Sequence, residues 1–219
     1  YSGTDMTDFP LQQSAPAYAE LQVSSNFSFL RGASHAEELV LMAATKGLHA
    51  IAITDCNTLA GVVRGHTAHQ PHRDRLNYIV GCRLDPVDGP SLLCYPTDRM
   101  AYARLCRLLT LGKRRAPKGE CEIYLADIRS HADGLLFIAV PPQVPDDTFR
   151  TQLIDLKRHL SGQLWLAIGR FMDGFDSERL AFTEAVEAEL AIPAVVTNDV
   201  HMHVRSRKPL QDVLTCIRH

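Results

Sequence analysis

Residues 50–58 read Ala50-Ile51-Ala52-Ile53-Thr54-Asp55-Cys56-Asn57-Thr58. Four apolar residues follow one another without alternation, then give way to turn and cap residues. A short run of that kind predicts a strand covered on both faces. The residues after it, to about His69, predict a helix. The same order recurs downstream. Residues 135–140 (LLFIAV) form a second buried run closed by Pro141 and Pro142, and Asp146 or Asp147 can open a helix to about Leu160. Residues 164–168 predict a strand. The next helix, 177–190, places Phe182, Val186 and Leu190 on one face. Residues 193–197 predict the last strand, ending in Asn198-Asp199-Val200-His201.

Upstream, residues 21–24 predict a first strand. Ser34 and Glu37 have the spacing of a capping box for a helix to Lys46, with Gly47 as its left-handed stop. Residues 78–84 and 92–95 predict further strands, Thr97 can cap a helix to about Leu109, and residues 112–119 (GKRRAPKG) have loop composition. The tail from Arg205 predicts a basic helix. About seven strands, most followed by a helix, predict a parallel α/β architecture, as an open sheet or a closed barrel. In both, chemistry gathers at the C-terminal ends of the strands. No GxxxxGK[ST] motif is present and no GxGxxG follows a strand, which disfavours those nucleotide folds.

The chain has 219 residues, 46% hydrophobic and 22% charged, so it carries enough apolar surface for a core and is not a disordered chain. Lys plus Arg is 23 and Asp plus Glu is 25, for a formal charge of −2, so nucleic-acid binding would have to come from local patches. No run approaches the roughly 18 apolar residues of a membrane helix. Residues 1–17 read as a loose lead-in without the layout of a signal peptide, and 18–219 as the folded domain. Six cysteines without a CxxC pair read as reduced, mostly buried thiols of a cytoplasmic protein.

The stretches SNFSFLRGASHAEEL (25–39), GLHAIAITDCNTLAGVVR (47–64), LTLGKRRAPKGEC (109–121) and IPAVVTNDVHMHVRSRKPLQDVLTCIRH (192–219) carry a resemblance. In order and spacing they are similar to the PHP (polymerase and histidinol phosphatase) family, and most closely to the N-terminal PHP domain of bacterial C-family, DNA polymerase III alpha-subunit-like polymerases of the error-prone branch. The resemblance implies a PHP-type distorted seven-stranded (β/α) barrel, similar to a TIM barrel. It also implies a translesion, damage-tolerance polymerase whose body follows residue 219 and uses Mg2+ held by palm carboxylates. The partners implied are the rest of the polymerase chain, DNA through the parent enzyme and other mutagenesis or replication proteins, with no membrane.

An active site of this family, as the resemblance implies, holds up to three metal ions on histidines and carboxylates, which activate water against a phosphoryl group. In proofreading members it can act as a 3′–5′ exonuclease. This sequence departs from that pattern. Gln22-Val23-Ser24 stands for His-x-His, Arg31 for an acid, Cys56 for a His, Arg83 for a Glu and Ser91 for a His; Asp199 and His201 remain. Against a unit charge 4 Å away, a fixed arginine charge is worth roughly 4 kcal/mol at an effective dielectric near 20, and about twice that against a dication. The expectation is a degenerate site with no catalytic residue, no metal and no cofactor in this domain, where Arg31 and Arg83 pair with acids such as Asp55 or Asp199. Asp199 and His201 stay as weak candidate ligands, or as rim hydrogen-bonding groups. The alternative is a residual metal-dependent phosphoesterase or 3′–5′ exonuclease using Asp199, His201, His66 and Cys56.

Other residues carry plainer readings. Asp55 can be a base or can cap the following helix, His203 is expected to be exposed, and Trp165 is expected in the core. Arg107, Lys113, Arg114, Arg115 and Lys118 lie in a basic stretch without acids over 99–118, which can contact DNA, dock a partner or simply face solvent. No interleaved aromatics support a stacking platform for single strands.

Overall fold

The computed structural model describes residues 17–218. All but the last residue of the expected lead-in lies outside them. The chain forms two sheets. A parallel three-stranded sheet contains β1 (Ala19–Val23), β2 (Ala50–Ile53) and β3 (Asn77–Val80) in that order. A five-stranded sheet follows the order β4 (Cys82–Leu84), β5 (Leu92–Pro96), β6 (Leu135–Ala139), β7 (Leu164–Ile168) and β8 (Ala194–Val196). Helices intervene: α1 (Ala36–Thr45), α2 (Val62–His69), α3 (Arg99–Arg115), α4 (Leu125–His131), α5 (Asp147–His159), α6 (Asp176–Leu190) and α7 (Lys208–Arg218). No helix among the described residues is long and apolar enough to cross a membrane.

The α/β alternation agrees with the sequence pattern, but two expectations are corrected. Among the described residues the pairing gives eight strands in two sheets, not seven strands in one. They divide three and five, joined by isolated parallel bridges Val23–Val200 and Cys56–Arg83. Nor is the pairing wholly parallel: β5 runs antiparallel to both β4 and β6. The division falls at Gly81, inside what reads as one strand over 78–84. A Cβ there would stand 2.8 Å from Thr54 Cγ2 and 2.9 Å from the Tyr95 ring, so only glycine lets the backbone cross between the sheets.

Burial explains the unalternating runs. Leu92, Cys94, Leu135, Phe137, Leu164 and Leu166 turn outward into the core under α3–α6. Their neighbours Leu93, Tyr95, Ile138 and Ala167 turn inward and meet Ala52 of the other sheet, with Trp165 packed against them as expected. Every second residue thus serves one of two cores, which is the period of a strand. The Tyr95 hydroxyl donates to the Leu21 carbonyl at 2.6 Å, a polar tie between the sheets. A third cluster packs Leu39, Val40 and Ala43 of α1 on Val23, Ile51 and Ile53.

Several local boundaries move. The capping box of α1 is His35 with Glu38: the Glu38 carboxylate accepts from His35 N at 2.9 Å. Ser34 instead bonds His203. For α3 the cap is Asp98, accepting from Ala101 N at 2.7 Å, and the helix continues through Gly112–Arg115 into the expected loop. Thr97 Oγ1 donates to the Gly134 carbonyl. Helix α4 was not expected, whereas Asp146 caps α5 as read, accepting from Phe149 N at 2.9 Å.

Candidate functional site

The two bridges bring the C-terminal ends of β1, β2, β4 and β8 to one rim. Val200 N donates to the Gln22 carbonyl and Ser24 N to the Val200 carbonyl, both at 2.8 Å, which sets β1 beside the residues after β8. Arg83 N donates to the Asp55 carbonyl at 3.1 Å and Asn57 N to the Arg83 carbonyl at 2.7 Å, which sets β2 beside β4. Leu30, Asn57 and Asp199 all take left-handed backbone angles, with φ of 58°, 51° and 46°. Such angles in residues with side chains are held by their surroundings and concentrate at functional sites.

A carboxylate absent from the sequence-derived set, Asp85, organises one half of this rim. Its Oδ1 accepts from Arg83 Nε at 2.9 Å and from Ser91 Oγ at 2.5 Å. Its Oδ2 accepts from Cys56 Sγ at 3.0 Å and from Arg31 Nη2 at 3.5 Å. Arg83 Nη2 also donates to Ser91 Oγ at 2.8 Å, and the Asp85 amide donates to Asn57 Oδ1 at 3.1 Å. Four of the eight rim residues singled out in the sequence therefore converge on one acid. Burial pushes the Asp85 carboxyl up, but the Arg83 charge and the bonds from Ser91, Cys56 and Arg83 outweigh it, and it falls to about 2. Burial, with Asp85 adjacent, pushes the Cys56 thiol up to about 12, so it stays protonated and donates. The expectation that Arg31 and Arg83 pair with Asp55 or Asp199 is thus corrected. Strand geometry makes Asp85 the partner, because a residue two along from Arg83 projects from the same face.

The other half holds Gln22, Asp199 and His201. His201 Nε2 lies 3.2 Å from Asp199 Oδ2, and Gln22 Oε1 accepts from Thr197 Oγ1 at 2.8 Å. Burial raises the Asp199 carboxyl, yet the His201 bond and charge, then Arg83, then a bond from Gln22, bring it below its ordinary range. Asp199 Oδ1 and His201 Nδ1 are buried without a hydrogen-bond partner. A cavity of about 210 Å³ adjoins Gln22 and Asp199, reaching Pro141, Phe171 and the buried Arg179.

Asp55 sits beneath the rim. It accepts from Ser25 N at 2.8 Å, Ser25 Oγ at 2.7 Å and Ser28 Oγ at 2.7 Å. Its enclosure raises the carboxyl in spite of the serine bonds. It neither caps α2, whose cap position is Gly61, nor pairs with an arginine. Ser24 is buried. His203 is half-buried rather than exposed, its Nδ1 2.7 Å from Ser34 Oγ. His66 lies on α2, exposed and bonded to Gln70, with its ring edge-on to Tyr78. The basic residues lie elsewhere again: Arg107, Arg114 and Arg115 line a groove on α3 with Thr110, Leu111 and His131. There Arg115 forks onto Asp127, while Lys113 and Lys118 are exposed.

As a donor set for the metal ions that the resemblance implies, this rim does not fit. Amide, hydroxyl and protonated thiol replace imidazole and carboxylate, and two guanidinium groups occupy the bonding directions of Asp85. Among the described residues, no three His, Cys, Asp or Glu side chains stand together as a metal-holding group.

Comparison with known proteins agrees with the fold. Curated relatives include an error-prone DNA polymerase of Caulobacter vibrioides, 52% identical over 204 residues, which are 93% of this chain and 19% of the relative. Error-prone DNA polymerase 1 of Agrobacterium fabrum is 43% identical over 206 residues, 94% of this chain and 19% of that one. This chain therefore spans about a fifth of the length of the curated relatives it matches. Among solved structures, an amidohydrolase of Chromobacterium violaceum superposes with a TM-score of 0.65 at 14% identity, covering 85% of this chain and 88% of the other. A lesion-specific endonuclease of Pyrococcus furiosus superposes at 0.58 and 13% identity, covering 85% and 49%. The model of the PHP domain matches residues 20–186, and the chain belongs to the PHP domain family.

Proposed function

We propose that this chain is the PHP region of an error-prone, translesion DNA-directed DNA polymerase and serves it as a scaffold without hydrolytic chemistry of its own. The parent enzyme adds deoxynucleotides to a primer with Mg2+ held by palm carboxylates. Its partners are the rest of its own chain, DNA, and other mutagenesis or replication proteins in the cytoplasm. The relatives' names and lengths support the polymerase reading.

The observation that carries the scaffold reading is the saturation of Asp85 by Arg31, Cys56, Arg83 and Ser91. A carboxylate so engaged has little capacity left for a cation, and the two guanidinium charges oppose a dication at the same place. The full-length protein, purified without chelator, tests it. The expected result is primer extension with no stoichiometric zinc, manganese or iron and no shortening of a labelled 3′ end. Stoichiometric metal that is lost in His201→Ala, together with end hydrolysis, would overturn it.

A second reading, a residual metal-dependent phosphoesterase or 3′–5′ exonuclease, is favoured by one observation: Asp199 Oδ1 and His201 Nδ1 are buried without partners. It would rest on those two residues with Gln22 beside them. His66 and Cys56 would take no part, the one exposed and bonded to Gln70, the other protonated and donating to Asp85.

A further inference from the structure

Leu210, Val213, Leu214 and Ile217 of α7 recur at the spacing of one helix face. In a helix that belongs wholly to its own domain, such a stripe is turned inward. In α7 most of it is turned outward. Gln211 is the buried residue of the helix and Leu214 is half-buried, while Leu210, Val213 and Ile217 are 42%, 55% and 63% exposed. The helix packs chiefly on the 3-10 turn before it, Arg205–Arg207. Next to that turn, a groove of about 370 Å³ lies between α1 and the segment after β8, with Leu39, Met42, Val200, Met202 and Val204 among its walls.

We infer that the outward stripe of α7, together with this groove, is the docking face for the remainder of the polymerase chain, a surface of apolar character. The inference rests on the polymerase reading given above. The length of the relatives names the occupant: about four-fifths of such a protein lies outside the region matched here. A second copy of this chain is a poorer occupant. Eleven helical residues span roughly 16 Å, and two facing stripes of that length bury far less than the about 1,200 Å² of a stable dimer. A covalently joined partner needs no such area, because linkage holds it at an effective concentration of order mM. Large apolar stripes left facing water are otherwise rare on soluble domains.

The test uses the full-length protein with Val213→Glu and Ile217→Glu combined, and Val63→Glu, an exposed site on α2, as control. Hydrogen exchange of the α7 amides, limited proteolysis and thermal unfolding are read. We expect α7 amides in the wild type to exchange at least tenfold slower than in the double variant. We also expect the double variant to be cut faster and to melt several degrees lower, with the control unchanged. Equal exchange and equal melting in wild type and double variant would overturn the inference. So would a wild-type dimer that the double variant separates into monomers, which would assign the stripe to a second copy. Primer extension by the wild type is scored separately, so failure of the polymerase reading is distinguishable from failure of the docking face.

Discussion

Arg83 and Arg31 look equivalent in the sequence, yet they are unequal at Asp85. The Arg83 side chain is 16% exposed and makes a 2.9 Å bond, whereas Arg31 is 29% exposed and reaches 3.5 Å. Arg83→Ala strips a partly buried acid of its main partner and should cost about 2 kcal/mol, below the roughly 3–5 kcal/mol of a fully buried pair. Arg31→Ala should cost under about 1 kcal/mol, as exposed pairs do. Denaturant melts of the two variants check this ordering; equal losses would contradict it. The acid also predicts a pH dependence. Its folded-state pKa, about 2, lies below its ordinary value of 3.8. The stabilisation is therefore complete above pH 4 and is lost as pH falls towards 2. It is worth about 2 kcal/mol, and Asp85→Asn should abolish it. Acid unfolding of wild type and variant should then converge near pH 2 and separate above pH 4.

Elements were legible wherever burial dictated the pattern. β2, β6 and β7 are covered on both faces, so their apolar runs are unmistakable, and β7 has the bounds the sequence indicates. The break between β3 and β4 was not legible, because residues 78–84 stay β-compatible throughout. The reason for Gly81 lies in Thr54 and Tyr95, far away in the chain. Gly81→Ala should therefore cost about 1–3 kcal/mol through overpacking, measurable by thermal unfolding. A neutral result would mean that the Tyr95 ring yields. The end of α3 was hidden by composition: Lys113, Arg114 and Arg115 look like loop residues but suit the negative end of a helix. Within the rim, Arg31, Cys56, Arg83 and Ser91 drew notice in the sequence because they depart from the pattern that the resemblance implies. Asp85 did not, since nothing local distinguishes an Asp before a Pro from a turn residue.

On the scale of the molecule, the net charge of −2 conceals an uneven surface. The α3 groove collects Arg107 and Arg114, a two-turn interval on one helix face, with no ion-pair partner within 4 Å among the described residues. If this face tracks a phosphate backbone in the whole polymerase, Arg107→Gln with Arg114→Gln removes two contacts. The slope of log affinity against log salt should then flatten by about 1.8 for duplex DNA. An unchanged slope would assign the face to solvent or to a protein surface. The sheets of three and five strands are united by two isolated bridges, by the Tyr95–Leu21 and Thr197–Gln22 bonds and by the apolar cluster they share around Ala52.

The Asp85 cluster also sets how this rim answers a change of charge. A glutamate at position 83 would set two acids side by side and forfeit the bonds to Ser91 and Asp85. Arg31 alone would then face both carboxylates from 3.5 Å or beyond. The rim tolerates its acid only in company with a guanidinium, so the two positions are exchangeable only as a set.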